Sequence, residues 1–201
     1  MAAPNPADFV HEPALQAGDI FFARRTGLVD RLIRLCTRSF GEPRSRADHV
    51  GVVVRGGPFG EAVVVEALRT VKRRRLVKGY ANRHNEVAVY RPTNLSNDER
   101  RVIVHTAQAY VGRRYGWART AANSLDWLLQ GAYVFRRIAG CENYPTRSWV
   151  VAEAFDKAGK HFGVEPGTAS LDDIWNFVTD ETDKYQQIRE PLPLNGDNEL
   201  F

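Results

Sequence analysis

The amino-acid sequence predicts an α+β fold, an antiparallel sheet or small barrel packed against helices. Two observations predict it. Short β-branched runs cluster before residue 91, and segments with capping signals and helical spacing dominate after residue 95. With 201 residues, 43% of them hydrophobic and 26% charged, the chain suffices for one domain with a real core.

Taken in order, Asp19-Ile-Phe-Phe-Ala23 reads as a strand introduced by Gly18. Leu28, Val29, Leu32, Ile33 and Cys36 recur with helical spacing and predict a short amphipathic helix, with Cys36 a small buried hydrophobe on its stripe. Val50 to Val54 and Ala62 to Ala67, separated by Gly56-Gly57-Pro58-Phe59-Gly60, predict two antiparallel strands and a turn. Glu86 to Tyr90 is a further strand, closed by Arg91-Pro92. Ser96-Asn-Asp-Glu99 is a capping box that opens a helix through Val111, stopped by Gly112. A second helix is expected over 118–130, a third from Ser148 to Ala158, and a last one capped by Ser170-Leu-Asp-Asp173 and ending at Val178. Residues 1–16 and 179–201 read as tails on a domain of 17–178, the second of them polar and extended or loosely docked.

Composition narrows the function classes. No window approaches 18 uninterrupted apolar residues, so no membrane span is expected. The first ten residues lack the basic and apolar regions of a secretory signal, and a cytoplasmic setting is expected, with delivery by another route left open. Two cysteines are too few for a disulfide framework, no metal-ligand spacing includes them, and no cofactor is expected. The net charge of +4 is concentrated in Arg69 through Lys78. Such a run suits an anionic partner, but no aromatic residues interleave it, as single-strand nucleic-acid binding would want. A solvated hairpin edge, guarded by cations, is the expected reading, and nucleic acid is not the expected partner.

One constellation carries chemistry. Asp48-His-Val-Gly-Val-Val-Val54 places His49 at the start of an apolar strand, where it is expected to face a helix. Glu66 lies within Val63-Val-Val-Glu-Ala67, and an ionisable carboxylate there is costly to bury without a partner. A histidine across the ladder is such a partner. A cysteine nucleophile needs an imidazole or a helix N-terminus to lower its pKa, and the imidazole needs a third group to fix its orientation.

Gly18-Asp-Ile-Phe-Phe with Asp48-His-Val-Gly resembles the histidine half of NlpC/P60-type cysteine peptidases. Ala107-Gln-Ala-Tyr-Val-Gly-Arg-Arg-Tyr-Gly-Trp117 with Arg147-Ser-Trp-Val-Val-Ala-Glu-Ala-Phe155 resembles the half that carries their nucleophile. The halves stand in reversed order, which resembles the circularly permuted, YiiX/YebB-like and lecithin-retinol-acyltransferase-like branch of the papain-like superfamily. The resemblance implies a permuted papain-like domain acting on amide (peptide or isopeptide) or ester bonds through a thiol, with His49 as base and Glu66 orienting it. It implies Tyr115 near the cleft and Ser148 beside the nucleophile, both as substrate-binding residues, and a peptide or lipid-like substrate.

The residue before Ser148, cysteine in the resembled proteins, is Arg147 here. Arginine offers only donors and stays protonated, so it cannot act as the nucleophile. Three readings follow: a pseudoenzyme that keeps the cleft for binding peptide or lipid, an altered copy of an active enzyme, or a relocated nucleophile at Cys141 or Ser148. Glu66 is the expected counter-ion of Arg147. Asp19 is expected to be a strand-start or turn residue, and His11, His84, His105 and His161 match no motif.

Overall fold

The computed structural model describes residues 9, 11–24, 47–68, 70–80, 85–113 and 147–193, and of Arg147 and Pro193 only the backbone. The predicted helices at 28–36 and 118–130, together with Cys36, His84, Tyr115 and Cys141, lie outside the described residues.

Among the described residues six strands form one antiparallel sheet: β1 (Ile20–Arg24), β2 (His49–Arg55), β3 (Val63–Ala67), β4 (Val71–Arg75), β5 (Glu86–Pro92) and β6 (Tyr185–Pro193). Their order is β4-β3-β2-β1-β5-β6, an open sheet with β4 and β6 at its edges rather than a barrel. Among the described residues the helices are α1 (Leu76–Tyr80), α2 (Asn97–Ala109), α3 (Arg147–Asp156) and α4 (Leu171–Asp180), with a 3-10 turn at Phe59–Glu61.

Both faces of the sheet are covered. On one face Ile20, Phe22, Val50, Val52, Val65 and Ala88 pack against Ile103 of α2, Val150, Val151 and Phe155 of α3, and Ile174 and Trp175 of α4. On the other, Phe21, Ala23, Val53, Val64, Val87 and Val89 meet Phe9, Leu15, Phe59, Leu76, Val77 and Tyr80. Burial on both sides explains why β2 and β3 read as continuous valine runs instead of alternating with polar residues. The second face is closed by α1 and the N-terminal segment.

Capping places the helices where the sequence put them. The Ser96 hydroxyl accepts from Glu99 N at 3.2 Å while the Ser96 N–H donates to Glu99 Oε2 at 2.7 Å. Ser170 and Asp173 repeat the reciprocal pair at α4. Gly112, with φ of +89°, turns the chain back after α2.

The tails need correction. Residues Tyr185–Pro193 are an edge strand paired with β5 along its length, locked by Arg189, which grips Glu12 with two hydrogen bonds of 2.7 Å and donates to Leu192 O at 2.8 Å. At the other end, Leu15 bridges Gly57 and Phe9 is buried in the second core. The polar, proline-bearing composition that suggested a loose tail is what an edge strand tolerates.

Gly51 shows how tight the second face is. A Cβ there would collide with the Phe21 ring and lie 2.7 Å from Val65 O, which is backbone and cannot yield. Gly51→Ala is expected to cost about 1–3 kcal/mol through overpacking, read as a lower urea midpoint with unchanged slope. Wild-type stability in that variant would mean the two strands are less closely held than described.

Candidate functional site

Strand alternation decides where the predicted site residues point. Phe22 pairs with Val50 and Ala23 with His49, and Val50, Val52 and Val54 belong to the helix-side core. His49 therefore points to the opposite face, with Phe21 and Tyr80, whose ring centroids lie 6.3 and 6.1 Å from its own. The expectation that His49 faces the helix carrying Arg147 is corrected: α3 takes the valines, and the imidazole lies beneath α1.

Glu66 shares that face. Gly51 stands directly across the ladder from it, and the missing side chain leaves room for the carboxylate to reach His49 diagonally. His49 Nε2 is in contact with Glu66 Oε2. The Tyr80 hydroxyl donates to the same oxygen, and Arg74 Nε donates to Oε1. Arg74 stands opposite Val64, so it reaches Glu66 from the diagonal on the other side of β3. The guanidinium lies 5.2 Å from the Tyr80 ring centroid and against Gly79, where a Cβ would sit 2.5 Å from Arg74 Cζ.

These contacts set the charge state. Burial on its own would raise the Glu66 carboxyl. The hydrogen bond to His49 and the charges of His49 and Arg74 outweigh it and hold the group at about 2 against an ordinary 4.5. With Glu66 1% and His49 2% exposed, an ionised carboxylate survives there because His49, Tyr80 and Arg74 all present donors to it. The carboxylate thus fixes the orientation of the imidazole through Nε2.

Arg147 is the first residue of α3. Its side chain lies outside the described residues, and the expected Arg147–Glu66 pair with it; the guanidinium seen on Glu66 is that of Arg74. Ser148 is 7% exposed and its hydroxyl donates to Ala169 O at 2.7 Å. That bond staples α3 to the turn before α4, so the hydroxyl is engaged structurally where a substrate contact was expected. Asp19 is buried and takes Arg91 Nε at 2.9 Å, Arg91 Nη2 at 2.7 Å and Gln16 N at 2.7 Å, a strand-start anchor as expected. His161 makes an exposed contact of 2.9 Å with Asp156.

Sequence reasoning missed Arg74 and Tyr80. Their signal was the buried acid itself: a carboxylate that must be paired, followed eight residues later by an alternating strand whose inward position is an arginine.

The fold defines a class, a mixed α+β domain built on an open six-stranded antiparallel sheet with helices. No protein-family model and no curated protein sequence matches the chain. In its fold the chain is similar to the crystal structure of the metalloprotein YiiX from Escherichia coli O157:H7. The sequence identity is 18%, the TM-score 0.59, and the match covers 89% of this chain and 98% of that one.

Because the Glu66 carboxyl is depressed, it contributes stability above its unfolded pKa of 4.5, and that contribution is lost as the pH falls towards about 2. The contribution is on the order of 3 kcal/mol. Glu66→Gln is expected to lower stability at pH 7, since Arg74 loses its anion, and to flatten the acid limb of the stability–pH curve below pH 4.5. An acid limb of unchanged slope in that variant would place the responsible carboxyl elsewhere.

Proposed function

We propose that the chain is a circularly permuted papain-like scaffold of the NlpC/P60 type, the frame of a thiol hydrolase for amide or ester bonds, with Arg147 at the nucleophile position. The observation that carries this reading is the buried contact between His49 Nε2 and Glu66 Oε2 on adjacent strands, a base already oriented by its acid. In the active form of such a site, the imidazole takes the thiol proton and the thiolate attacks the carbonyl carbon. The tetrahedral intermediate then expels the amine or alcohol, protonated by the imidazolium, and water hydrolyses the acyl-enzyme. Arg147 supplies no such sulfur, so the chain as written does not run this cycle through that position.

YiiX is described as a metalloprotein. In this chain, among the described residues, no three His, Cys, Asp or Glu side chains come together as a metal site. Glu66 already carries a guanidinium that a metal cation would have to displace, so the donor set around His49 does not fit a metal.

A second reading is a non-catalytic module that binds peptide or lipid in the same cleft. It is favoured by the near-complete burial of His49 and by its place on the sheet face turned away from α3.

Thiol labelling of Arg147→Cys with an iodoacetamide probe, mapped by mass spectrometry across pH, separates the two. On the hydrolase reading the introduced thiol labels fast at a pH well below about 8.5, the usual thiol value, and His49→Ala or Glu66→Gln abolishes that rate. Slow labelling with an ordinary pH dependence hands the case to the binding module. Fast labelling of Cys141 in the unaltered chain would displace both with a relocated nucleophile.

A further inference from the structure

The basic run of the sequence is now resolved into an edge strand. Val71 N–H donates to Arg113 O at 2.9 Å and Val71 O accepts from Gly112 N at 2.9 Å, so Val71 turns its backbone groups away from β3. Strand alternation gives Arg73 and Arg75 the same outward N–H and C=O, while Leu76 N–H turns inward to Ala62 O at 3.0 Å. The chain has thus extended its own sheet by a short pairing at Val71, and the ladder continues open past it among the described residues.

The side chains along this open ladder are cationic on both faces. Arg73 and Arg75 share the face of Val71, and Lys72 lies on the face of Glu66; all three are exposed. Among the described residues none of the three has an ion pair. Several cations elsewhere are matched: Arg91 with Asp19, Arg189 with Glu12, Lys160 with Glu99 at 3.0 Å and Lys184 with Glu181 at 2.7 Å. Lys78, exposed at the end of α1, extends the same field.

We propose that the β4 edge is a docking surface for an acidic, extended polypeptide segment, which adds a seventh strand beside Arg73 and Arg75. Main-chain bonds supply the pairing, and carboxylates at alternate positions, which share one face of the added strand, meet Arg73 and Arg75, while Lys72 on the other face adds to the cationic field. A nucleic acid would satisfy the charges but leave the outward N–H and C=O pairs of the ladder without matching partners. The same cations also guard the edge against like strands of this protein, because two such edges repel. The partner is thereby selected by charge.

The test uses the full chain and a fluorescent peptide of about eight residues with alternating Glu and Thr, a typical strand length. A second peptide carries Pro in place of every Thr, keeping the charge but unable to join a ladder. The alternating peptide is expected to bind roughly tenfold tighter than the proline peptide, or about 1.4 kcal/mol. The amides of Arg73 and Arg75 should become protected from hydrogen exchange on binding. Arg73→Glu with Arg75→Glu should abolish binding, and Arg73→Pro should weaken the alternating peptide alone, both with thermal unfolding close to wild type. Equal binding of the two peptides would reduce the surface to bare charge and overturn the proposal. So would tighter binding of a single-stranded oligonucleotide of matched charge, or no saturable binding by the alternating peptide at low salt.

Discussion

The structure depends on one costly group, the carboxylate of Glu66 near the end of a strand buried along its whole length. An ionised carboxylate in that position is untenable unless its oxygens are met by donors. Three elements are arranged to meet it: β2 brings His49, β4 brings Arg74, and α1 brings Tyr80. The two glycines follow from the same demand. Gly51 clears the place across the ladder, and Gly79 lets the guanidinium lie flat against α1. Removing one donor would leave a buried carboxylate oxygen short of a partner and shift its demand onto the remaining donors, so the four side chains behave as a unit.

This polar knot also divides the sheet. The helix-side core is apolar throughout, and α3 enters it through Trp149, Val150, Val151, Ala154 and Phe155. The second face is apolar around its rim and polar at its centre, sealed by α1 and the N-terminal segment. A thiol at the start of α3 and the imidazole of His49 would therefore have to meet across the start of β2, where the sheet begins, rather than through its middle. That geometric requirement is what separates the hydrolase frame from the binding module. It falls where β2 begins, at His49 and the Asp48 that precedes it, both buried.

Much of this was legible in the sequence. The capping boxes at Ser96 and Ser170 are local, each satisfied within four residues, so sequence alone placed α2 and α4. The Val-Val-Val runs announced β2 and β3, and the lone Glu66 announced that something must pair with it. The face of His49 was not legible, because a run buried on both sides has no polar alternation to mark which residues go where. Nor was β6: its glutamines, prolines and charges read as solvent-exposed, and only the long-range grip of Arg189 on Glu12, 177 residues earlier, reveals its place. The missing information in both cases is tertiary, a partner far along the chain. The open sheet could not be told from a small barrel for the same reason, since closure depends on whether the two edge strands meet.

The strand β4 draws these threads together. Its arginines look interchangeable in sequence, yet alternation gives them opposite fates. Arg74 turns inward, loses much of its water and neutralises Glu66. Arg73 and Arg75 turn outward, keep their water and carry no counter-ion among the described residues. A five-residue strand so serves the buried pair on one face and presents an unmatched cationic ladder at its edge. Substituting lysine at 74 would preserve net charge but lose the planar fork that sends Nε to Glu66 while the guanidinium stacks on Tyr80. At 73 or 75, where the charge faces water and geometry is unconstrained, lysine would serve nearly as well. The same residue type is thus fixed by geometry at one position and by charge alone at its neighbours, a distinction that composition cannot express and the pleat of one strand creates.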